Sequence, residues 1–319
     1  MSKPSTKIFY SSSSSSQDRS SKLESLLRDE GYLPGNTLGS GAYAKVKEAC
    51  HTKEKTMVAL KIIDLIKAPE NLMNKFLPRE LDALRHIDHP NVIRMISSLQ
   101  FSTQHLVIVT ELAENGDLLD YINKHRRLSE DRSLDIFIDF INGMKYLHGR
   151  DIVHRDLKCE NLLLDKNNKL MIADLGFVTR EMGRLSTYCG SIAYVSPEVL
   201  RKQPYYGKPA DVWSMGVILY AMLYGKLPFK ESDLVSKGAK VMTGIDYTTR
   251  HLLSEYTILF LRQLLVYDPD GRLTVNQMLS HQWIVLKKVN QTSISSSESN
   301  GPNSEESLYL SRNRKPGSQ

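Results

Sequence analysis

The stretch HRDLKCENLLL at residues 154–164 combines the residue types that phosphoryl transfer requires. Such a transfer needs a carboxylate to orient the attacking hydroxyl and take its proton, a cation beside the moving phosphate, and an oxygen ligand for Mg²⁺. Asp156, Lys158 and Asn161 supply these groups at offsets of zero, two and five. Eighteen residues beyond Asp156, Asp174 in MIADLGFVTR is the second candidate ligand, and a metal held there would bridge the β- and γ-phosphates. A polar turn between apolar segments is the plain alternative, and a match of this length in type and order weighs against it.

Upstream, LGSGAYAKV (Leu38, Gly39, Ser40, Gly41, Ala42, Tyr43, Ala44, Lys45, Val46) forms a turn between two short strands. Its two glycines lack the Cβ atoms that would keep backbone amides away from phosphate oxygens. Ala44 stands where many such turns carry a third glycine. Fifteen residues after Val46, Lys61 ends VALK and would neutralise α- and β-phosphates if an acidic group held it. Glu80 in FLPREL, on the helix that follows, is correctly ordered to do so. Taken singly, each has an ordinary alternative: a hairpin, a solvated lysine, a surface glutamate.

These groups need elements to position them. Short β-like runs at 32–40, 44–52, 56–64, 92–99 and 105–111 predict a small antiparallel sheet, interrupted by a helix from Leu72 to His86 that Pro78 either kinks or restarts. From about residue 117 the period becomes helical. Leu134, Ile138, Ile141 and Met144 recur three or four apart after the helix start Ser129-Glu130-Asp131. DVWSMGVILYAMLYG (211–225) is apolar nearly all round and stops at Gly225, which predicts a helix buried at the centre of a domain and too short to span a bilayer.

With 319 residues, 41% of them hydrophobic, the chain can bury a sizeable core. The net charge of +6 is spread among Asp and Glu without a basic, aromatic-interleaved stripe, so it reads as solvated surface and not as a nucleic-acid interface. Cys50, Cys159 and Cys189 make no CxxC pair and no disulfide framework, which fits a reducing compartment. The first residues lack an apolar signal segment and carry Ser2 where myristoylation needs glycine, so a cytoplasmic location, with nuclear entry open and no membrane partner, is expected. Residues 1–24, with a serine run from Ser11 to Ser16, and residues 289–319 are read as flexible tails.

In order and spacing, these motifs resemble the eukaryotic protein kinases over about residues 32–286. That resemblance implies a two-lobed α+β fold: an N-lobe (about 32–111) of antiparallel sheet with one main helix, and a larger, mainly helical C-lobe (about 116–286). It implies ATP and Mg²⁺, protein substrates and a monomer. By position, Asp156 resembles the catalytic base, Lys158 the transition-state cation, Asn161 and Asp174 the Mg²⁺ ligands, and Lys61 with Glu80 the regulatory ion pair. VTELAEN resembles the hinge, with Thr110 as gatekeeper, Glu111 and Ala113 as backbone contacts to adenine, and Ala59 and Leu163 beside them. Leu175 replaces the usual Phe and would pack with His154, Leu84 and Met95 in a column linking the lobes. STYCGS points to Thr187 as an activating phosphorylation site facing Arg155, and to Ser191 as the neighbour of Asp156. Glu198 of SPE would pair with Arg272, and Asp211 would tie the buried helix to the catalytic loop.

A narrower resemblance rests on KIIDLIKAPENLMNKFLPREL, GSGAYAKVK, ELAENGDLL, HRDLKCENLLLD and YCGSIAYVSPEVL. Together these are similar to the testis-specific serine/threonine kinases, relatives of the calcium/calmodulin-dependent group. It implies serine and threonine as targets, a role in germ-cell development, and an upstream kinase, chaperone or activating subunit as a partner. Asp117 and Glu160 resemble acidic positions that receive an arginine three residues before the target, and each reads equally well as a solvated or helix-start carboxylate. Leu175, Ile192 and Ser196 depart from the common pattern. An inactive scaffold of this fold would have lost Lys61, Asp156, Asn161 or Asp174, and all four are present.

Overall fold

Residues Thr56–Asp64 alternate Val58, Leu60 and Ile62 with Ala59, Lys61 and Ile63, so one extended strand presents a different row to each face of a sheet. A strand of this kind has to be covered on both sides. The structure, a computed structural model, describes residues 6–9, 16–70, 73–74, 77–101, 104–248 and 253–286. In chain order the first lobe contains β1 (Thr6–Phe9), α1 (Ser16–Asp29), β2 (Tyr32–Ser40), β3 (Ala44–His51), β4 (Thr56–Asp64), α2 (Leu77–His86), β5 (Met95–Phe101) and β6 (His105–Glu111). The strands form one sheet in the order β1-β5-β6-β4-β3-β2, antiparallel throughout except that β1 joins the edge parallel to β5.

One face of this sheet is covered by α1. Leu23 and Leu27 pack there against Ala49, Val58, Leu60, Leu99, Phe101, Val107 and Val109. This corrects the expectation of a tail through residue 24, because Ser16–Asp29 is helical and Leu23 and Leu27 find the apolar face they need, with Leu26 packed beside them. The serine run at 11–15 lies outside the described residues, as do residues 289–319. On the opposite face, Ile63, Met95, Leu106 and Ile108 meet Leu77 and Leu84 of α2 and run into the core of the second lobe. Pro78 lies in the first turn of α2, where its missing N–H costs no hydrogen bond, so it starts this helix. Residues 72, 75 and 76 of the expected longer helix lie outside the described residues.

The second lobe contains α3 (Leu118–His125), α4 (Glu130–His148), β7 (Ile152–Val153), β8 (Leu162–Leu164), β9 (Leu170–Ile172), β10 (Thr179–Arg180), α5 (Pro197–Leu200), α6 (Gly207–Tyr224), α7 (Glu231–Lys237), α8 (Glu255–Leu264) and α9 (Val275–Met278). Ser129 caps α4 by accepting from Arg132 N at 3.2 Å. Helix α6 is buried on all sides, as its unbroken apolar pattern requires, and stops at Gly225 in the left-handed region. A Cβ at Gly225 would lie 1.9 Å from the Arg126 carbonyl oxygen, so a larger residue there would force the chain apart. No helix among the described residues is long and apolar enough to cross a membrane.

The run at 92–99 differs from expectation at its start. Val92 does not join β5; it bridges Ile172 of β9, and Ile93 N donates to the Ile172 carbonyl at 2.8 Å. Only beyond this point does the chain enter the sheet at Met95, so the same segment stitches one lobe to the other.

Candidate active site

The catalytic loop is held from beneath by α6. Asp211 accepts from His154 N and Arg155 N, each at 2.8 Å, and His148 Nε2 lies 2.9 Å from its Oδ2. Charge-assisted bonds to consecutive amides fix the backbone while Arg155 takes a left-handed φ of 69°. Asp156 follows directly. Its Oδ1 accepts from Ser191 N at 2.9 Å and from Ser191 Oγ at 3.0 Å. Its Oδ2 lies 3.7 Å from Lys158 Nζ and 3.4 Å from Asn161 Nδ2. Asn161 Nδ2 also donates to the Asp156 carbonyl at 2.9 Å, which fixes the amide plane.

Across the cleft, Lys61 Nζ lies 2.6 Å from Glu80 Oε1 and 3.1 Å from Asp174 Oδ1. Burial pushes the ammonium toward its neutral form, but the charges of Glu80 and Asp174 outweigh this and hold its pKa above the ordinary value. The Lys61 charge in turn is the main reason that Asp174 lies below the usual aspartate range. Asp174 has left-handed backbone (φ 57°, ψ 72°) and is followed by a single turn at Leu175–Phe177. Leu175 is fully buried in one core with Leu84 and Met95. His154, also fully buried, reaches the Ala173 carbonyl through Nε2 at 3.1 Å. These are the four residues expected to form the column between the lobes.

The glycine turn joins β2 to β3. Gly39 pairs with Val46 and Ser40 with Lys45, and Gly41 N donates to the Ala44 carbonyl at 2.8 Å, with Ala42 and Tyr43 at the tip. Neither glycine has a positive φ. Their value is space: a Cβ on Gly39 would meet nothing within 4 Å. Leu38 beside it is exposed. Ala59 lies opposite Thr110 and Lys61 opposite Ile108, which sets a small residue next to the threonine at the rear of the cleft. Glu111 ends β6 and its carboxylate accepts from Arg94 N at 2.8 Å; burial raises its pKa. The link past Ala113 is clasped to β8, where Asn115 N donates to the Leu164 carbonyl and Leu164 N to that of Gly116, with Leu163 bridging Asp117.

Thr187 is half-buried, and its carbonyl accepts from Tyr205 OH at 3.0 Å. Leu185 and Tyr205 exchange backbone bonds at 2.7 and 3.0 Å, so this stretch is zipped to the chain that follows α5. Arg155 Nε donates to the Phe177 carbonyl at 2.7 Å, while its Nη2 is buried without a partner. Glu198 and Arg272 pair as expected through both guanidinium nitrogens. Asp117 caps α3 by accepting from Asp120 N at 2.9 Å, and its pKa is raised by burial, with the charges of Asp120 and Glu160 adding to the shift. Glu160 is exposed, and its Oε2 lies 3.5 Å from Tyr194 OH. His148 and Tyr205 were not singled out from the sequence. His148 sits on the apolar face of α4 like any core residue, and Tyr205 gains its role only from a contact eighteen residues away.

Comparison with known proteins agrees with this geometry. The protein kinase domain model matches residues 32–284. Testis-specific serine/threonine-protein kinase 2 of Mus musculus is 41% identical over 269 residues, covering 81% of this chain and 75% of the relative. Testis-specific serine/threonine-protein kinase 3 of Homo sapiens is 38% identical over 268 residues, covering 82% and 99%. Serine/threonine-protein kinase SIK1 of Mus musculus is 38% identical over 250 residues, covering 78% of this chain and 32% of its own. With a family match across most of its length and relatives well above 30% identity, the chain belongs to the protein kinase family.

Proposed function

We propose that the chain transfers the γ-phosphoryl group of ATP to serine and threonine hydroxyls of protein substrates. The observation that carries this reading is the cross-lobe triad: Lys61 sits between Glu80 of α2 and Asp174 of the second lobe, as an assembled nucleotide site requires. Asp174 and the fixed amide of Asn161 offer the hard oxygen donors that suit Mg²⁺, which keeps its remaining positions for water and phosphate. Bound there, the ion would neutralise charge developing between the β- and γ-phosphates.

The chain's own groups do the rest. Lys61 binds the α- and β-phosphates, and the open backbone around Gly39 and Gly41 covers them. Leu38, Val46, Ala59 and Leu163 flank the base, and the backbone at Glu111 and Ala113 reads its edge. Asp156, with Oδ1 engaged by Ser191, uses Oδ2 to orient the substrate hydroxyl and accept its proton, while Lys158 stabilises the charge on the moving phosphate. The likeness of STYCGS to a phosphorylated activation-loop pattern supports Thr187 as the activating site, and Arg155, whose Nη2 has no partner, is the cation that its phosphate would engage. The likeness of Asp117 and Glu160 to arginine-receiving positions, with the charge of Glu160 helping to raise the pKa of Asp117, supports a preference for arginine three residues before the target. The names of the relatives support a germ-cell role.

A labelled-ATP assay with arginine-containing peptides tests this. Wild type should phosphorylate Ser and Thr peptides, Asp174→Ala should abolish transfer, and Thr187→Ala should reduce it. A fully active Asp174→Ala variant would overturn the metal assignment. Undiminished activity of Thr187→Ala would remove the activating site, and indifference to loss of the peptide arginine would remove the role of Asp117 and Glu160.

A further inference from the structure

The kinase match begins at Tyr32, so α1 precedes the matched domain. It is nonetheless seated on the sheet that carries the glycine turn. Leu23 and Leu27, one helical turn apart, are 8% and 0% exposed. They close over Ala49 of β3 and Val58 and Leu60 of β4. Beside them, Glu24 pairs with Lys47 of β3 at 3.0 Å. Lys47 directly follows Val46. Successive residues on a strand point to opposite faces, so the side chain held by α1 and the side chain above the nucleotide cleft are neighbours on one backbone.

Strand β3 is also paired with β4 along its whole length, and the Tyr43 carbonyl at the tip accepts from Asp64 N at 2.8 Å, so the less supported half of the glycine hairpin is β2. Strand β2 lies at the sheet edge, is exposed along most of its length, and shifts register against β3 between Pro34 and Thr37 and again between Thr37 and Gly39. The tip at Ser40–Lys45 and Leu23, Glu24 and Leu27 of α1 line one open cavity of about 410 Å³. The C-terminal end of α1 is fixed, since Gly31 adopts φ 90° and its carbonyl accepts from Thr52 N at 2.8 Å, just beyond β3. Helix α1 is thus tied to the middle of β3 through Lys47, and the turn that follows the helix is tied to the residue just beyond the strand.

We infer that α1 is a positioning element for the nucleotide: through Glu24, Lys47 and Leu27 it holds β3, and with it the glycine turn, over the phosphates. This rests on the reading of the cleft as the ATP site. Nucleotide affinity then depends on a helix outside the matched domain, while the transfer step does not.

The test is titration of the full chain with a fluorescent ATP analogue and Mg²⁺, beside steady-state kinetics on a peptide. Glu24→Lys sets two ammonium groups against each other at a partly exposed site, and Kd for the analogue should rise about threefold, the scale of one such pair. The kcat and the peptide KM should hold. The charge swap, Glu24→Lys with Lys47→Glu, should restore Kd, and Leu27→Ala should raise it. A purely structural helix would instead lower the melting midpoint and active fraction with Kd unchanged, and that result, or failure of the swap to restore Kd, overturns the proposal. A wild type that binds the analogue without phosphorylating peptide counts against the transfer reading alone, and the Kd ratios still decide the role of α1. A wild type that does not bind it overturns both.

Discussion

Arg272 grips Glu198 with both terminal guanidinium nitrogens, at 2.7 and 2.8 Å, with both side chains sealed from water. The pair pins the end of the activation segment to the segment that leads into α9. Arg272 also donates to the carbonyls of Val266, Tyr267 and Pro209, so its donors are spent on several strands of chain at once. Removing it leaves Glu198 buried and uncompensated. Arg272→Ala should cost about 3–5 kcal/mol in urea unfolding. Arg272→Lys should recover only part of this, because an ammonium cannot reproduce the two-pronged geometry. A loss below about 1 kcal/mol for the alanine variant would show that the pair is dispensable.

Lys61 and Asp174 make stability depend on pH in a defined window. Asp174 lies below its ordinary value chiefly because of the Lys61 charge, so its contribution is present above the unfolded aspartate value, about 3.9, and is lost as pH falls through the depressed folded value. Lys61 lies above its ordinary value, so its contribution holds below about 10.4 and fades only as pH rises through the folded value. Lys61→Met should therefore be less stable than wild type across neutral pH, with the gap narrowing below about pH 4. Unfolding free energies measured from pH 3 to 8 check this; a gap that widens in acid would reverse the sign.

Ser196 is buried at the cap of α5, and its hydroxyl has no hydrogen-bond partner. A buried unpaired hydroxyl costs about 1–3 kcal/mol. Ser196→Ala should raise stability by about 1 kcal/mol with activity retained. A calorimetric midpoint that falls would mean that the hydroxyl is satisfied in solution.

Leu175 has no exposed surface, and its neighbours Leu84 and Met95 are nearly as buried. Restoring the commoner aromatic residue would add volume to a filled site. Leu175→Phe should destabilise the chain by about 1–3 kcal/mol, as overpacking does, although phenylalanine is the usual residue there in relatives of this fold. Thermal denaturation of the variant with and without nucleotide reads this directly, and a higher midpoint would show a void beside Leu175.

Much of the site was legible because its chemistry is local. Asp156, Lys158 and Asn161 share one loop, and their roles follow from their order along a few residues. The pairings of Lys61 with Glu80, Glu198 with Arg272, and Asp211 with the catalytic loop were also expected, since family order carries them across long separations. Less legible were contacts made by residues whose local pattern is unremarkable in kind. Leu23 and Leu27 are two leucines in a polar, serine-rich segment, and only the uncovered face of a sheet built much later in the chain gives them a reason to be helical and buried. Val92 has the character of a strand residue, yet its partner is Ile172 in the other lobe.

The amino-acid sequence by itself determined the set of reactive groups, the change from short strands to helices, and the central apolar helix, because residue type, spacing and period are properties of the chain alone, while the two-lobed arrangement came from the family resemblance. Tertiary structure decided which of two equivalent surfaces each element buries and which distant groups meet. It placed α1 on the glycine-turn strands, gave Tyr205 to Thr187, and left Ser196 without a partner. These outcomes depend on competition among all apolar and polar surfaces for cover at once, and no stretch of sequence contains that competition.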